Sequence, residues 1–148
     1  MLYVVSDHGG FALKQRLVVW LRQTGQAVTD LGPVRLHPKD DYPVAAQQLA
    51  HAVQSSPKNY GIAVCRTGVG MAIVANKHRG VRAVQAVTPA IAVRSRQDEN
   101  TNILTIASDF QSWPNVRLTV QRWLTTSYRG EARQQRRLRQ IKKIEHGR

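Results

Sequence analysis

Short apolar runs alternate along this chain with longer segments in which apolar residues recur at helical spacing. Such runs are typical of buried strands in parallel sheets, and they predict five strands: Leu2–Ser6, Ala27–Leu31, Tyr60–Cys65, Val81–Val87 and Ile103–Ala107. The other segments predict five helices: Phe11–Thr24, Pro43–Ser55, Met71–His78, Pro89–Arg96 and Trp113–Ser127. This strict alternation predicts an α/β fold with a parallel sheet and helices on both of its faces.

A further amphipathic helix is predicted in the basic segment 129–148, where Leu138, Ile141 and Ile144 recur at helical spacing. The segment supplies nearly half of the formal net charge of +13, through Arg129, Arg133, Arg136, Arg137, Arg139, Lys142, Lys143 and Arg148. A charge of this size makes nucleic acid a candidate partner. No aromatic residues interleave with these cations, however, which disfavours nucleic acid. Anionic small molecules suit a basic protein equally well.

The composition predicts one domain spanning 1–148. A chain of 148 residues is long enough to bury a core, and a single cysteine excludes a disulfide framework and fits a reducing cytosol. No apolar stretch approaches the length of a membrane span, and the start of the chain lacks the features of a signal peptide. We therefore expect a soluble cytoplasmic protein.

The only cysteine, Cys65, ends a predicted strand and precedes a glycine-rich turn that opens a predicted helix. Ligands of open α/β sheets bind at these carboxyl ends of the strands. Free backbone N–H groups at such a turn favour a thiolate or a developing oxyanion. A lone intracellular cysteine is more often a buried structural residue, so both interpretations stay open at this point.

Four polar clusters fall at or beside the ends of predicted strands: Ser6–Gly10, Asp40–Pro43, Cys65–Gly70 and Arg96–Asn102. Each has an ordinary structural interpretation, since Asp7 can cap a helix, His8 can be a hydrogen-bonded structural residue and Asp41 can belong to a turn. Together they predict that all four clusters meet at one edge of the sheet and form a functional site there.

Five motifs lie between residues 6 and 83: Ser6-Asp7-His8-Gly9-Gly10-Phe11, Asp41-Tyr42-Pro43, Cys65-x-Thr67-Gly68-Val69-Gly70-Met71, Ala75-Asn76-Lys77 and Gly80-Val81-Arg82-Ala83. With this set the chain resembles the ribose-5-phosphate isomerase B family, which also includes the paired subunits of galactose-6-phosphate isomerase. The resemblance implies a Rossmann-like three-layer α/β/α sandwich with a five-stranded parallel sheet and a C-terminal helix that extends to a partner subunit. It also implies a homodimer or a dimer of dimers with shared active sites, and no metal or cofactor.

The chemistry that this resemblance implies is the isomerisation of an aldose phosphate to a ketose phosphate through a cis-enediolate. Cys65 is then the base that moves a proton from C2 to C1 of the open-chain sugar. Backbone N–H groups of the turn that includes Gly68 and Gly70 stabilise the enediolate oxygen, and Thr67 binds or protonates sugar oxygens.

The remaining site residues are also implied by the resemblance. Asp7 and Tyr42 orient hydroxyl groups of the sugar. His8 and Arg136 hold the phosphate group. Arg133 compensates for a phosphate-binding arginine that the family usually has and this chain lacks. In the segment before the fifth strand, Asp98 takes a catalytic position and Asn100 a substrate-binding position.

Four positions depart from the usual pattern of the family. Asp98 replaces a histidine credited with opening the sugar ring, and an ionised carboxylate is a poor proton donor for that step. Arg66 replaces a glycine, Asp109 replaces an arginine, and Ala132 replaces another arginine. The proton-transfer half of the implied site is thus intact, while the half that opens the ring and holds the phosphate is altered.

Three functions stay open on the sequence. We expect first a ribose-5-phosphate isomerase of the B type with weakened or shifted substrate choice. The second is a subunit resembling the B chain of galactose-6-phosphate isomerase, which needs a partner chain. The third is a non-catalytic member that binds a sugar phosphate or, through its basic tail, nucleic acid.

Overall fold

The computed structural model describes residues 1–147, so Arg148 of the predicted tail helix lies outside the described residues. The strands are β1 (Leu2–Ser6), β2 (Val28–Asp30), β3 (Tyr60–Cys65), β4 (Ala83–Gln85) and β5 (Ile103–Ala107). The helices are α1 (Phe11–Gln23), α2 (Tyr42–Gln54), α3 (Val69–Ala75), α4 (Pro89–Glu99), α5 (Trp113–Thr125) and α6 (Ala132–His146). A 3-10 turn, His8–Gly10, joins β1 to α1.

The five strands form one parallel sheet in the order β2-β1-β3-β5-β4. Gly61 pairs with Ile103 and Cys65 pairs with Ala107, so β3 and β5 begin at one edge of the sheet and end at the other. The predicted parallel five-stranded sheet is confirmed. Cys65 lies at the edge formed by the carboxyl ends of the strands, which we call the carboxyl edge; the opposite one is the amino edge.

Two hydrophobic cores cover the two faces of the sheet. Neighbouring strand residues point to opposite faces, so Val4 packs in one core and Val5 in the other. The first core is closed by α1, α4 and α5, through residues that include Leu17, Ala92 and Trp123. The second is closed by α2 and α3, with residues such as Leu49 and Met71. This arrangement confirms the predicted three-layer α/β/α sandwich.

Among the predicted boundaries that differ from the structure, those of α3, α4 and β4 differ most clearly. The helix α3 ends at Ala75 rather than His78, because the side chain of Asn76 bonds both the N–H and the carbonyl group of Ala83 and turns the chain into β4. The helix α4 continues to Glu99 and ends at Asn100, which adopts a left-handed conformation with φ of 47°. The strand β4 has only three residues and pairs with β5 alone.

The basic helix α6 packs beside α4 at the amino edge of the sheet. Gln134, which is 1% exposed, donates from Nε2 to Asp98 at 3.4 Å. Near the other end of α6, Glu145 accepts a hydrogen bond from the N–H of Gly80 at 3.0 Å. Within residues 1–147, no helix is both long and apolar enough to cross a membrane.

Candidate active site

The side chain of Cys65 lies at the carboxyl edge, beneath the turn that leads into α3. Its Sγ accepts a hydrogen bond from the N–H of Gly68 at 3.1 Å, and the residue is 5% exposed. Gly68 has φ of 75°, a conformation that residues with a side chain avoid, and this allows its N–H to turn toward the sulfur. A backbone hydrogen-bond donor therefore faces the sulfur at the carboxyl edge.

The turn is held from below by Gln85, which donates from Nε2 to the carbonyl oxygen of Thr67 at 2.8 Å. The hydroxyl oxygen of Thr67 in turn accepts a hydrogen bond from the N–H of Val69 at 3.3 Å. The N–H groups in the first turn of a helix have no partner within that helix. Those of Gly70 and Met71, in the first turn of α3, therefore have no partner within that helix.

Tyr42, the first residue of α2, lies against the first turn of α3. A Cβ atom on Gly70 would approach the ring of Tyr42 to 2.7 Å, so the ring rests directly on the glycine backbone. The side chain of Tyr42 is 41% exposed. The structure therefore brings Tyr42 together with the Cys65 turn, as the sequence predicts.

The 3-10 turn after β1 forms the next part of the carboxyl edge. Asp7 is buried, and its Oδ1 accepts a hydrogen bond from the N–H of Gly10 at 3.0 Å. Burial raises the pKa of the Asp7 carboxyl group, while the hydrogen bond from Gly10 opposes this rise. A Cβ atom on Gly10 would overlap the carbonyl group of Val64, so this turn sits on the end of β3 beside Cys65.

His8 in the same turn is bonded to Asp40, which lies in the loop before α2. Oδ1 of Asp40 is 2.7 Å from Nδ1 of His8 and 2.8 Å from its backbone nitrogen. This hydrogen bond is the main reason why the pKa of His8 is raised, and the charge of Asp7 adds to it. His8 is thus more readily protonated than a free histidine, and a protonated imidazole suits the binding of an anion.

Two of the departures from the family pattern face each other at this edge. Nη1 of Arg66 lies 3.6 Å from Oδ2 of Asp109. The stem of Arg66 covers Gly9, and the hydroxyl of Ser108 donates to the carbonyl oxygen of Gly9 at 3.0 Å. The guanidinium group of Arg66 is therefore placed beside the turn that carries His8.

The fourth polar cluster does not join the other three, and the prediction that all four meet at one edge is wrong. Asp98 and Asn100 precede β5, so they lie at the amino edge, opposite the edge that carries Cys65. The oxygens of Asp98 lie 3.8 Å from Nε of Arg94 and 4.0 Å from Nη1 of Arg129. The structure thus separates Asp98 from Cys65 of its own chain.

Asn100 has a contact at the amino edge that the sequence does not reveal. Its Oδ1 accepts a hydrogen bond from Nη1 of Arg96 at 2.9 Å. Arg96 is 7% exposed and also donates to the hydroxyl of Tyr60 at 3.2 Å. The side chain of Asn100 therefore helps to hold a buried guanidinium group.

Arg133 and Arg136 are exposed on α6, on either side of the buried Gln134. This helix contacts Asp98 and Gly80 at the amino edge. The structure consequently divides the predicted site residues into two groups. The first, at the carboxyl edge, holds Asp7, His8, Tyr42, Cys65, Thr67, Gly68 and Gly70; the second, at the amino edge, holds Asp98, Asn100, Arg133 and Arg136.

Two residues that support the site at the carboxyl edge are not identified by the sequence pattern. Asp40 lies in a predicted polar cluster, but only the fold shows that it pairs with a histidine 32 residues away. Gln85 lies in a predicted strand, and nothing in its pattern indicates a bond to Thr67. Among the described residues 1–147, no group of three or more His, Cys, Asp and Glu side chains can hold a metal ion.

Comparisons with known proteins agree with this geometry. The profile of the Ribose/Galactose Isomerase family matches residues 2–141. Ribose-5-phosphate isomerase B of Escherichia coli is 40% identical over 130 residues, which are 88% of this chain and 87% of that protein. D-erythrulose-4-phosphate isomerase of Pectobacterium atrosepticum is 31% identical over 125 residues, 84% of this chain and 82% of that protein.

A solved structure extends the likeness to the whole fold. Ribose-5-phosphate isomerase B from Mycoplasma genitalium, crystallised with bound ribulose 5-phosphate, superposes with a TM-score of 0.94 at 35% identity. The match covers 99% of this chain and 97% of that one. The chain therefore belongs to the ribose/galactose isomerase family.

Proposed function

We propose that this chain is an aldose–ketose isomerase of phosphorylated sugars that interconverts ribose 5-phosphate and ribulose 5-phosphate. Family membership and the ribulose 5-phosphate bound to the Mycoplasma genitalium relative support this substrate. The observation that carries the proposal is the position of Cys65, whose sulfur accepts the N–H of Gly68 at the carboxyl edge.

In the proposed reaction Cys65 is the general base. The thiolate removes the proton from C2 of the open-chain aldose, and the C2–H electrons form the C1–C2 double bond while the carbonyl electrons move to O1. The resulting cis-enediolate is stabilised by the N–H groups of Gly70 and Met71. The Cys65 thiol then returns the proton to C1, while O2 becomes the carbonyl oxygen; the hydroxyl of Thr67 assists transfer between O1 and O2.

The other residues of the carboxyl edge bind the substrate. Asp7 and Tyr42 flank the Cys65 turn and orient sugar hydroxyl groups. His8 binds the phosphate group, because the hydrogen bond to Asp40 favours its cationic form. The reaction needs no external oxidant or reductant, since C2 of the sugar is oxidised as C1 is reduced.

The second group of site residues completes the site of a neighbouring subunit. Asp98, Asn100, Arg133 and Arg136 lie at the amino edge and are separated from Cys65 of their own chain. We infer that the protein is a homodimer or a dimer of dimers, in which α6 brings Arg136 to the phosphate group of the partner's site. Exposed apolar residues on α3 and α4 supply a surface for such an assembly: Val69, Ile73 and Ile91.

A second substrate class is favoured by Asp98. The usual family histidine at this position is credited with ring opening, and a carboxylate does not replace it as a proton donor. A four-carbon sugar 4-phosphate has no free hydroxyl group that can close a furanose ring, so its isomerisation needs no ring opening. The likeness to a D-erythrulose-4-phosphate isomerase supports tetrose phosphates as the second candidate.

The proposed base is tested by replacing Cys65 with alanine. We expect loss of isomerisation and of C2 proton exchange with deuterated solvent by about 10²–10⁴-fold, because the general base is removed. Exchange is followed by NMR with ribose 5-phosphate as substrate. Cys65→Ser is the matched control: it retains an acceptor for the Gly68 N–H but offers a far weaker acid–base group.

Both variants should keep the circular dichroism spectrum and the binding of inorganic phosphate of the parent protein. Wild-type exchange rates in the alanine variant would show that another group is the base. Absence of isomerisation by the parent protein with pentose, hexose and tetrose phosphates would contradict the proposed function itself.

A further inference from the structure

The contact between His8 and Asp40 determines which ring nitrogen of His8 faces a ligand. Oδ1 of Asp40 receives two hydrogen bonds, one from the backbone N–H of His8 and one from Nδ1. Because this carboxylate oxygen already accepts the backbone N–H, it also acts as the acceptor in its contact with the ring. Nδ1 is then the donor and carries a hydrogen. Nε2 then remains for a ligand.

The outward nitrogen is accessible. The side chain of His8 is 36% exposed, and within residues 1–147 its Nε2 has no hydrogen-bond partner. Asp40 is more enclosed, with 25% of its side chain exposed. The pair therefore has an inner, bonded side and an outer side that is open to a ligand.

The loop that carries Asp40 is anchored at its start. Lys14 is fully buried, and its Nζ donates to both carboxylate oxygens of Asp30, at 2.8 and 3.0 Å, and to the carbonyl oxygen of Pro33 at 3.1 Å. The N–H of Leu31 also bonds the carbonyl oxygen of Val4 in β1 at 2.9 Å. These bonds fix the start of the loop to α1, through Lys14, and to β1, the strand that leads into His8.

The end of the loop is fixed as well. The N–H of Asp40 bonds the carbonyl oxygen of His37 at 3.1 Å, which closes a turn, and α2 begins two residues later at Tyr42. Because Tyr42 rests on Gly70, the loop that places Asp40 continues directly into the Cys65 site. The Asp40 carboxylate is thus held by the same framework as the proposed catalytic residues.

The charged groups around His8 come from four segments. Asp40 approaches from the loop and Asp7 from the preceding residue, while Arg66 and Asp109 lie across Gly9 after β3 and β5. The Asp40 hydrogen bond raises the pKa of His8 most, the Asp7 charge adds to the rise, and partial desolvation opposes it. The cation therefore persists to higher pH than in a free histidine, and a phosphate monoester is mostly dianionic above about pH 6.

We propose that Asp40 is a positioning residue for phosphate recognition: it holds the His8 ring so that Nε2–H meets the phosphate group of the substrate. The inference rests on the proposed function, which brings a sugar phosphate to this edge. Asp40 itself touches neither the reacting carbons nor the phosphate. It acts through His8, as the second partner that sets the orientation and proton position of a functional histidine.

The test compares Asp40→Asn with the parent protein. Asparagine keeps an oxygen that can accept the His8 N–H but removes the negative charge. We expect KM for ribose 5-phosphate to rise roughly ten-fold near neutral pH with little change in kcat, since a charge-assisted contact to the phosphate is weakened. The pH at which KM begins to rise should also move downward, because His8 loses its proton at lower pH.

Glu131→Gln is the matched control, since it also removes one negative charge. Glu131 precedes α6, and its side chain makes no hydrogen bond that caps the helix. It should leave KM, kcat and the pH profile unchanged. Asp40→Glu offers a second comparison, because it restores the charge and should recover part of the phosphate affinity. A purely structural role of Asp40 would lower the melting temperature without moving the pH profile of KM.

NMR separates this inference from the proposed function, using inorganic phosphate as the probe. The signal of His8 is assigned among the five histidines by its loss in His8→Gln. We expect Asp40→Asn to lower the pKa of His8 and weaken the phosphate-induced shift of its signal. Unchanged phosphate affinity and unchanged KM in Asp40→Asn would overturn the inference. An inactive parent protein with Asp40-dependent phosphate binding would overturn the isomerase function and leave the positioning role standing.

Discussion

At the scale of single residues, the carboxyl edge depends on how closely two backbones approach each other. The neighbouring glycines Gly9 and Gly10 face different atoms: a Cβ on Gly9 would meet the side chain of Arg66, whereas a Cβ on Gly10 would meet the backbone of Val64. Gly10 has φ of −98°, which any residue can adopt, so its need for glycine is steric. A flexible side chain can move aside, but a central strand cannot.

This difference predicts unequal effects of the same substitution. Gly10→Ala should lower the free energy of unfolding by about 2–3 kcal/mol, because it forces a Cβ into the end of β3. Gly9→Ala, the matched control, should cost less than about 1 kcal/mol, since the stem of Arg66 can rotate away. Urea unfolding measures both values. Equal losses would mean that the end of β3 does not constrain the turn.

At the scale of elements, the hydrophobic pattern was sufficient to predict the order and type of the strands and helices. Buried strands such as Tyr60–Cys65 and Ile103–Ala107 are continuous apolar runs, which the pattern locates to the residue. The boundary at Ala75 depends instead on the bonds from Asn76 to Ala83 across the following turn, which the hydrophobic pattern does not report. Tertiary contacts decide such ends.

The position of the fourth polar cluster shows a different limit. In a parallel sheet, segments that precede strands lie at one edge and segments that follow strands lie at the opposite edge. Asp98 precedes β5 and Cys65 ends β3, so their order along the chain already places them at opposite edges. The family resemblance implies that these residues form one site. It could not show that one chain separates them.

The end of α4 carries the next prediction. Asp98→His supplies an imidazole where the carboxylate now stands and should raise kcat/KM for ribose 5-phosphate roughly ten-fold or more, through assisted ring opening. With erythrose 4-phosphate, which cannot close a furanose ring, kcat/KM should stay nearly unchanged. Steady-state assays with both sugars measure the difference.

Asp98→Asn is the control for this substitution, because it removes the ion pairs with Arg94 and Arg129 without adding a proton donor. A rise in the asparagine variant equal to that in the histidine variant would assign the effect to the lost charge. Equal gains on both sugars would contradict a role in ring opening.

At the scale of the whole molecule, the separation of the two residue groups is the basis of the proposed site shared between subunits. One edge of the sheet holds Cys65 and the turn around it, and the other holds Arg136 on α6. A two-fold arrangement of copies can bring the amino edge of one chain to the carboxyl edge of its partner. Under this proposal the basic helix binds substrate phosphate, and that role accounts for its charge without nucleic acid.

This arrangement predicts complementation between inactive variants. In a hybrid of a Cys65→Ala chain and an Arg136→Ala chain, one site carries both substitutions and the other carries neither. An equal mixture that exchanges subunits freely as dimers should recover about a quarter of the parent activity. Mixing Cys65→Ala with Thr67→Ala is the matched control, because both residues come from the same edge of one chain and no hybrid site is intact. Native mass spectrometry verifies that hybrids form. Recovery in the first mixture alone establishes a site shared between subunits, whereas no recovery in verified hybrids shows that each chain builds its own site.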